Sequence, residues 1–448
     1  MLPDLARHCA HLAADPLAGA FSARRAVMPF RGKNRVETEA VPALWAEAMA
    51  RTDAPSPRIA YVHIPFCANH CLFCGFYRNA HVPETAASYV DQVIRDIEAE
   101  SSLPGAQAAP IEALYLGGGT PSALTAAELS RLLEALRRFL PLAPDCEITV
   151  EGRIIHFDDE KVAACLEAGA NRFSIGVQSF DTSVRRRQGR RASREDAIAF
   201  IEGLNAHRGA AIVIDLMYGL PGQTAEVWQR DLETAAALEP DGIDLYGLNL
   251  IPGTPLHQAM QAGKFAQAPG LSDLGGYYRT GSTFMTGQGW RQVSNNHWAR
   301  TALERNRYNR LIKEGADCLA YGSGAGGSLG DLGYGLTGNL EEFAAAVRDG
   351  RKPIGMMSAA DGLRGLRNFI VGSLECGRLE FAGLDRLAGH GLSVEFRPLF
   401  EQWAAAGLLV LSDDGFDLGL AGRFWYATIN AALHDLVEAR LLPRTEAA

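Results

Sequence analysis

From Arg58 to about Pro252 the chain alternates short apolar runs with longer windows whose apolar positions recur every three to four residues. The runs are RIAYVHI (58–64), IEALYL (111–116), EITVE (147–151), RFSIGV (172–177), AIVIDL (211–216) and GIDLYGL (242–248). They are short and rich in β-branched residues, which predicts strands. The windows between them have legible helix ends. TAAE at Thr125 and SRED at Ser193 read as capping boxes, in which an N-cap hydroxyl and an acid three residues on each accept an orphan backbone N–H. Gly169 in EAGANRF reads as a helix stop, because a residue without Cβ takes the left-handed turn at low cost.

Six strands alternating with helices predict an α/β fold with a parallel sheet and right-handed crossovers. Periodicity leaves two forms open, a doubly wound sheet and a curved, partial (β/α)6 barrel. Residues 1–57 carry no strong periodicity and read as an arm or lid. After about Pro252 the alternation decays, and 256–355 reads as an extension beside the core, rich in Gly, Asn and aromatics over 284–330. Residues 356–448 then read as a helix (DGLRGLRNFIVGSL) and a helix–hairpin–helix unit with Asp413, Asp414 and Gly415 at the turn. That is a winged-helix-like domain.

Composition narrows the function classes. At 448 residues, 47% hydrophobic and 21% charged, the chain is an ordinary globular protein long enough for two or three domains. A net charge of −9 argues against a nucleic-acid partner. One basic run, RRRQGRRASR (Arg185–Arg194), is a candidate local anion site. No signal peptide and no membrane-length apolar run is visible, so the expected location is the cytoplasm, with no membrane partner.

The chemistry concentrates in VHIPFCANHCLFCGFYRN (Val62–Asn79), directly after the first strand. Three of the eight cysteines, Cys67, Cys71 and Cys74, stand there at C-x3-C-x2-C; Cys9, Cys146, Cys165, Cys318 and Cys376 are scattered. That is no disulfide framework. Structural zinc calls for four ligands, so the alternatives are an incomplete zinc knuckle, three unrelated core cysteines, or an iron–sulfur cluster. A cubane on three thiolates would leave one iron open to a small molecule. Other polar residues fall where strands end: LGGGTPS (Leu116–Ser122), Glu151, Gln178 and Asp215, with Arg190 in the basic loop. In parallel α/β sheets those ends face the ligand.

The cysteine loop and LGGGTPS, with RFSIGVQSFD and IDLMYGLPGQT, resemble the radical S-adenosylmethionine (SAM) superfamily. Within it they resemble the branch of coproporphyrinogen dehydrogenases, haem chaperones and haem-utilisation methyltransferases. The resemblance covers residues 58–255 well and the C-terminal domain more loosely. It implies the partial barrel and a [4Fe–4S] cluster on Cys67, Cys71 and Cys74. SAM would chelate the open iron and be split by one electron to a 5′-deoxyadenosyl radical. It further implies a first SAM contacting Tyr61, Gly118, Gly119, Thr120, Glu151, Gln178, Arg190 and Asp215, and a second contacting Phe73, Gly119, Thr120 and Met217.

Departures choose within the branch. Phe76 stands where the dehydrogenases carry a fourth cysteine, and EGRI (Glu151–Ile154) replaces the usual Glu-Ala-Asn-Pro. The arm DPLAGAFSARRAVMPFRG is absent from the chaperones. The stretch Gln292–Gly327 resembles the haem-utilisation methyltransferases, the anaerobilin synthase type. The resemblance thus implies oxygen-independent opening and methylation of haem with release of iron, with a low-potential donor such as flavodoxin or ferredoxin. The alternative is a haem chaperone without ring-opening activity. Haem is a flat apolar disc with two carboxylates. Asn296, Trp298 and Tyr308, with Arg300, Arg305, Arg307 and Arg310, are candidate contacts, unless Glu304, Arg305 and Arg307 simply lie on a solvated helix. His297 is a candidate catalytic acid or iron ligand, against a buried histidine satisfied by backbone. AYGSGAGG (Ala320–Gly327) reads either as backbone approaching a ligand or as a loop closing the barrel bottom. Cys318 and Cys376 read as small core residues.

Overall fold

The computed structural model describes residues 4–25, 31–53 and 57–442; residues 26–30 of the N-terminal arm lie outside them. All six expected strands form: β2 (Arg58–Ile64), β5 (Ile111–Gly118), β6 (Leu142–Gly152), β7 (Arg172–Gln178), β8 (Ala211–Tyr218) and β9 (Gly242–Gly247). They pair in that order, all parallel, and curve into a partial barrel. The short strands β3 (Phe66–Cys67) and β4 (Asn79–Ala80) bracket the cysteine loop. β1 (Lys33–Arg35) precedes them all in the chain.

The sheet does not end where the sequence pattern decays. Beyond β9 it gains β11 (His297–Ala299) and β10 (Arg291–Gln292), both antiparallel. Against the other edge, β12 (Asp317–Tyr321) lies parallel to β2. β13 (Gly326–Leu329), β14 (Leu332–Leu336), β15 (Ile354–Ala360) and β1 then continue it as an antiparallel wing. The sequence reading missed β12 because its CLAY runs straight into glycines that mask the strand signal.

Alternation along the strands sorts two environments. Val62, Leu114, Leu116, Val150, Phe173, Ile175, Ile212 and Ile214 face the helices and join the main core. Inside the barrel the same strands carry polar residues, among them Glu147, Thr149 and Glu151 of β6 and Asp215 of β8. Both expected capping boxes are present, at Thr125 and Ser193, and Gly169 takes φ +97° just after its helix.

Beyond Cys376, β16 (Arg378–Glu380), β18 (Gly415–Leu418) and β17 (Leu409–Leu411) form a small antiparallel sheet among helices, the winged-helix-like arrangement. The arm straps this region to the barrel. Trp403 Nε1 donates to the His8 carbonyl and Trp425 Nε1 to that of Pro16, each at 2.9 Å. Arg31 pairs with Asp435 and Glu438, at 2.6 and 2.7 Å, just before β1 joins the sheet edge. No helix among the described residues is long and apolar enough to cross a membrane.

Replacing Thr125 by alanine removes one half of a formed capping box. Urea unfolding is expected to show a loss of about 1 kcal/mol, and an unchanged midpoint would refute the cap's contribution.

Candidate active site: a cavity at the strand ends

Where the parallel strands end, a cavity of about 410 Å³ opens. Cys67, Cys71 and Cys74 all line it. Each sulfur meets a donor: Thr120 Oγ1 lies 3.4 Å from Cys67 Sγ, Arg153 Nη2 2.9 Å from Cys71 Sγ, and the Phe76 N–H 3.3 Å from Cys74 Sγ. Burial pushes the Cys67 thiol up, partly offset by the Thr120 bond and the Arg153 charge. Among the described residues, no three His, Cys, Asp or Glu side chains are set to hold a single metal ion.

Of the residues expected at SAM, eight line this cavity: Phe73, Gly119, Thr120, Glu151, Gln178, Arg190, Asp215 and Met217. The other two stand one layer behind. Gly118 donates its N–H to Glu151 (3.2 Å), and Tyr61 OH meets His63 Nδ1 at 2.9 Å. Glu151 also accepts from Tyr115 OH at 2.7 Å; burial still raises its pKa. Gln178 follows a bulge after Gly176 and takes φ +72°, a conformation costly for a residue with Cβ. Arg190 donates to the Gly176 carbonyl and stacks over Phe73, its charge 5.8 Å from the ring centre.

Three buried polar atoms around the cavity have no partner: Gln178 Oε1, Asp215 Oδ1 and Arg190 Nε. Such orphans are expensive unless a ligand satisfies them. Burial, with the nearby carboxylates of Asp244 and Glu151, pushes Asp215 up to about 7.

The residues proposed for haem do not reach this cavity. His297 lies beneath it on β11, fully buried, its Nδ1 3.1 Å from Asp244 and its Nε2 3.1 Å from Glu304. Both are charge contacts without hydrogen-bond alignment. Glu304 in turn is clamped by Arg172 at 2.9 Å. With a carboxylate on each ring nitrogen, His297 is neither placed to ligate a haem iron nor satisfied by backbone. Burial opposes its charge, but Asp244 and Glu304 prevail and lift it to about 9. Burial likewise disfavours the Glu304 charge, but Arg172 and His297 hold it down near 2.

Trp298 packs in the core and Asn296 gives its carbonyl to the Leu245 N–H. Arg305 and Arg307 turn to Asp145 near the start of β6, away from the strand ends, and Arg300 to backbone carbonyls of Glu239 and Pro240. Arg310 pairs with Glu314 on the helix Arg307–Glu314. Tyr308 plugs the barrel, its ring tilted against Tyr115 at 4.8 Å, beside Tyr61. Glu304 itself precedes that helix and is wholly buried, so it lies on no solvated face. In the basic run, Arg185 is buried and spends its guanidinium on the carbonyls of Val177, Ser179 and Ala192, a structural tie. Arg153, Ser174, Tyr246 and Asn249 line the cavity without having been foreseen; for Arg153 the signal was its place in EGRI, at the end of a strand.

A profile of the Radical SAM superfamily matches residues 61–235. Over 424 residues, 94% of either chain, the protein is 45% identical to anaerobilin synthase of Escherichia coli. The chain belongs to the radical SAM superfamily, in the family of that synthase. A haem chaperone HemW of Synechocystis is 31% identical over 60% of this chain and 65% of its own. An oxygen-independent coproporphyrinogen III oxidase of Pseudomonas aeruginosa is 27% identical over 84% of this chain and 85% of its own. The structure of coproporphyrinogen III oxidase (HemN) from Escherichia coli superposes with a TM-score of 0.77 over 92% of this chain and 97% of that one, at 22% identity, which shows a shared fold.

Membership in the superfamily implies a [4Fe–4S] cluster and SAM, and the cavity fits both. Three soft thiolates form one wall, and the orphaned Gln178, Asp215 and Arg190 atoms offer a polar ligand the partners they lack. Phe76, at the place of a fourth cysteine, is exposed.

The His297 charge adds stability in full below about pH 6.5, its unfolded value, and loses it as pH rises through about 9. Between pH 7 and 9.5, the wild-type protein is expected to lose about 2 kcal/mol relative to His297→Gln. Urea midpoints for the two proteins check this; parallel pH profiles would rule out the buried imidazolium.

Proposed function

We propose that the protein degrades haem without oxygen, as a radical SAM methyltransferase that opens and methylates the macrocycle to an anaerobilin-like product and releases its iron. The observation that carries this reading is 45% identity along 94% of both chains to anaerobilin synthase, against a match to 60% of this chain for the haem chaperone. Phe76 at the fourth-cysteine place weighs against the dehydrogenase activity.

When bound, the cluster and SAM supply carbon-radical chemistry, a reactivity that no side chain has. The chain's own residues bind and orient. Cys67, Cys71 and Cys74 hold the cluster. Gln178 and Asp215 would accept from a SAM and Arg190 would donate to it, while Glu151 fixes the Gly118 loop behind. A second SAM would lie against Phe73, Gly119, Thr120 and Met217. A low-potential flavodoxin or ferredoxin delivers electrons to the exposed side of the cysteine loop.

Under strict anaerobiosis, haem, SAM and a low-potential reductant are expected to give 5′-deoxyadenosine and a methylated, ring-opened tetrapyrrole, read by mass spectrometry. Intact haem beside continued SAM cleavage would remove the proposed reaction and favour a haem carrier. Cys71→Ala is expected to abolish the brown chromophore and all SAM cleavage, while Cys376→Ala changes neither; bleaching in Cys376→Ala would overturn the ligand assignment.

A further inference from the structure

The wing β12–β13–β14–β15–β1 has two unlike faces. Outward it presents Leu319, Tyr321, Tyr334, Leu336 and Met357, all buried in the main core. Inward, most paired positions are small: Gly326 opposite Gly335, and Gly333 opposite both Ser328 and Ser358, while Met356 stands on the other side of Gly335. Ala360 continues this row beside Lys33. Among the described residues the space they leave is open. It is a cavity of about 940 Å³, more than twice the size of the one at the cysteines, and it runs from Gly315 and Ala316 up to Gly324. The flat floor is the wing, and the opposite wall includes Ile312 and Asn368.

Two features make this a recognition site. First, a floor of Gly324, Gly326, Gly333, Gly335, Ser358 and Ala360 is backbone and small side chains, with Met356 the long side chain on it, and a planar molecule can lie face-on there. Second, the cavity carries cations. Lys33 stands over Gly333, with Arg364 close enough to add to the burial that lowers its pKa. Among the described residues neither Lys33 nor Arg78, which lines the cavity from the cysteine loop, has a carboxylate partner. Arg364 lies 3.7 Å from Asp317 and otherwise donates to the Gly315 and Gly330 carbonyls. Arg31 and Arg367, also in the lining, are spent on Asp361, Asp435 and Glu438. Asp331 is the acidic residue of the lining.

The position matters as much as the lining. His63 separates this cavity from the cysteine site: a Cβ on Gly118 would touch its ring at 2.7 Å, and one on Gly324 would lie 3.8 Å from it. A ligand on the wing is therefore separated from the cysteine cavity by His63 and the Gly118 backbone. The other large cavity, about 620 Å³ on the outward side beside Trp45, lacks this: its buried Lys352 is committed to Asp96 and Glu100 at 3.1 and 2.6 Å.

We infer that the inner face of the wing is the binding site for the tetrapyrrole. Its ring lies on the glycine floor, its carboxylates reach Lys33 with Arg364, and one edge of the ring faces His63 and the cysteine site. A cavity of this size suits a ligand of that class, and a carboxylate on a lysine or arginine is a charge-assisted contact. The inference rests on the haem reading above. It assigns the substrate to residues that no pattern in Gln292–Tyr308 indicated.

The test is anaerobic titration of haem, and of its carboxyl-esterified dimethyl derivative, into cluster-loaded protein, followed by the Soret difference spectrum. Lys33→Glu and Gly335→Leu are each first shown to carry the wild-type cluster absorbance. Gly335 is not in a left-handed conformation, and a Cβ there meets Met356 at 3.4 Å, so leucine fills the cavity without backbone strain. Lys33→Glu, on an exposed edge strand, is expected to weaken haem binding about tenfold or more while changing ester binding little. Gly335→Leu should weaken both. Wild-type affinity in both variants, with haem still converted by the unaltered protein, would overturn the site and leave the proposed function standing. Haem that neither binds to nor reacts with the unaltered protein would overturn both.

Discussion

The barrel depends on a buried chain of alternating charge: Arg172, Glu304, His297 and Asp244, linked by contacts of 2.9 and 3.1 Å. Four ionised groups inside a sheet are tolerated only because each has an opposite neighbour. Removing one would leave a bare buried charge, which costs about 3–5 kcal/mol. The chain joins β7, β9 and β11 to the segment before the helix Arg307–Glu314, so it fixes the lower end of the open barrel. Its upper end reaches the candidate site. Asp244 is one of the charges that raise Asp215, whose buried Oδ1 awaits a partner in the cavity above.

Above that floor the cavity follows from the sheet itself. Parallel strands end on the same side, and in a curved sheet those ends converge. Cys67, Gly119, Glu151, Gln178, Asp215 and Tyr246 belong to six different strand ends or the loops after them, yet they line one cavity. The tyrosines Tyr61, Tyr115 and Tyr308 fill the space beneath, and the low polarity there raises the cost of every unsatisfied group at the rim.

The strap formed by the arm couples distant parts of the molecule. It runs from Trp403 and Trp425 to the edge strand β1, and β1 carries Lys33 into the wing cavity. Arg31, Arg367, Asp361, Asp435 and Glu438 knit this junction with charge-assisted bonds. The docking of the C-terminal helices therefore bears directly on the shape of the inner wing.

The six core strands, both capping boxes and the three cysteines were legible because each depends on local periodicity or fixed spacing. Eight of the ten residues expected at SAM line one cavity for a related reason: a residue at the end of a parallel strand is placed by the strand itself. The stretch from Gln292 to Tyr308 misled, since an arginine-rich, aromatic run looks like a haem clamp until one knows which end of the barrel it covers. Arg305 and Arg307 lie near the start of β6 and His297 lies under the cavity floor; no local pattern encodes that. Nor could β12 or the glycine floor be seen, because glycines erase strand periodicity and the cavity exists only between strands and helices far apart in the chain. Chain-local chemistry was thus determined by the sequence, whereas the face of the barrel each group occupies, and the charge it meets there, was decided by packing.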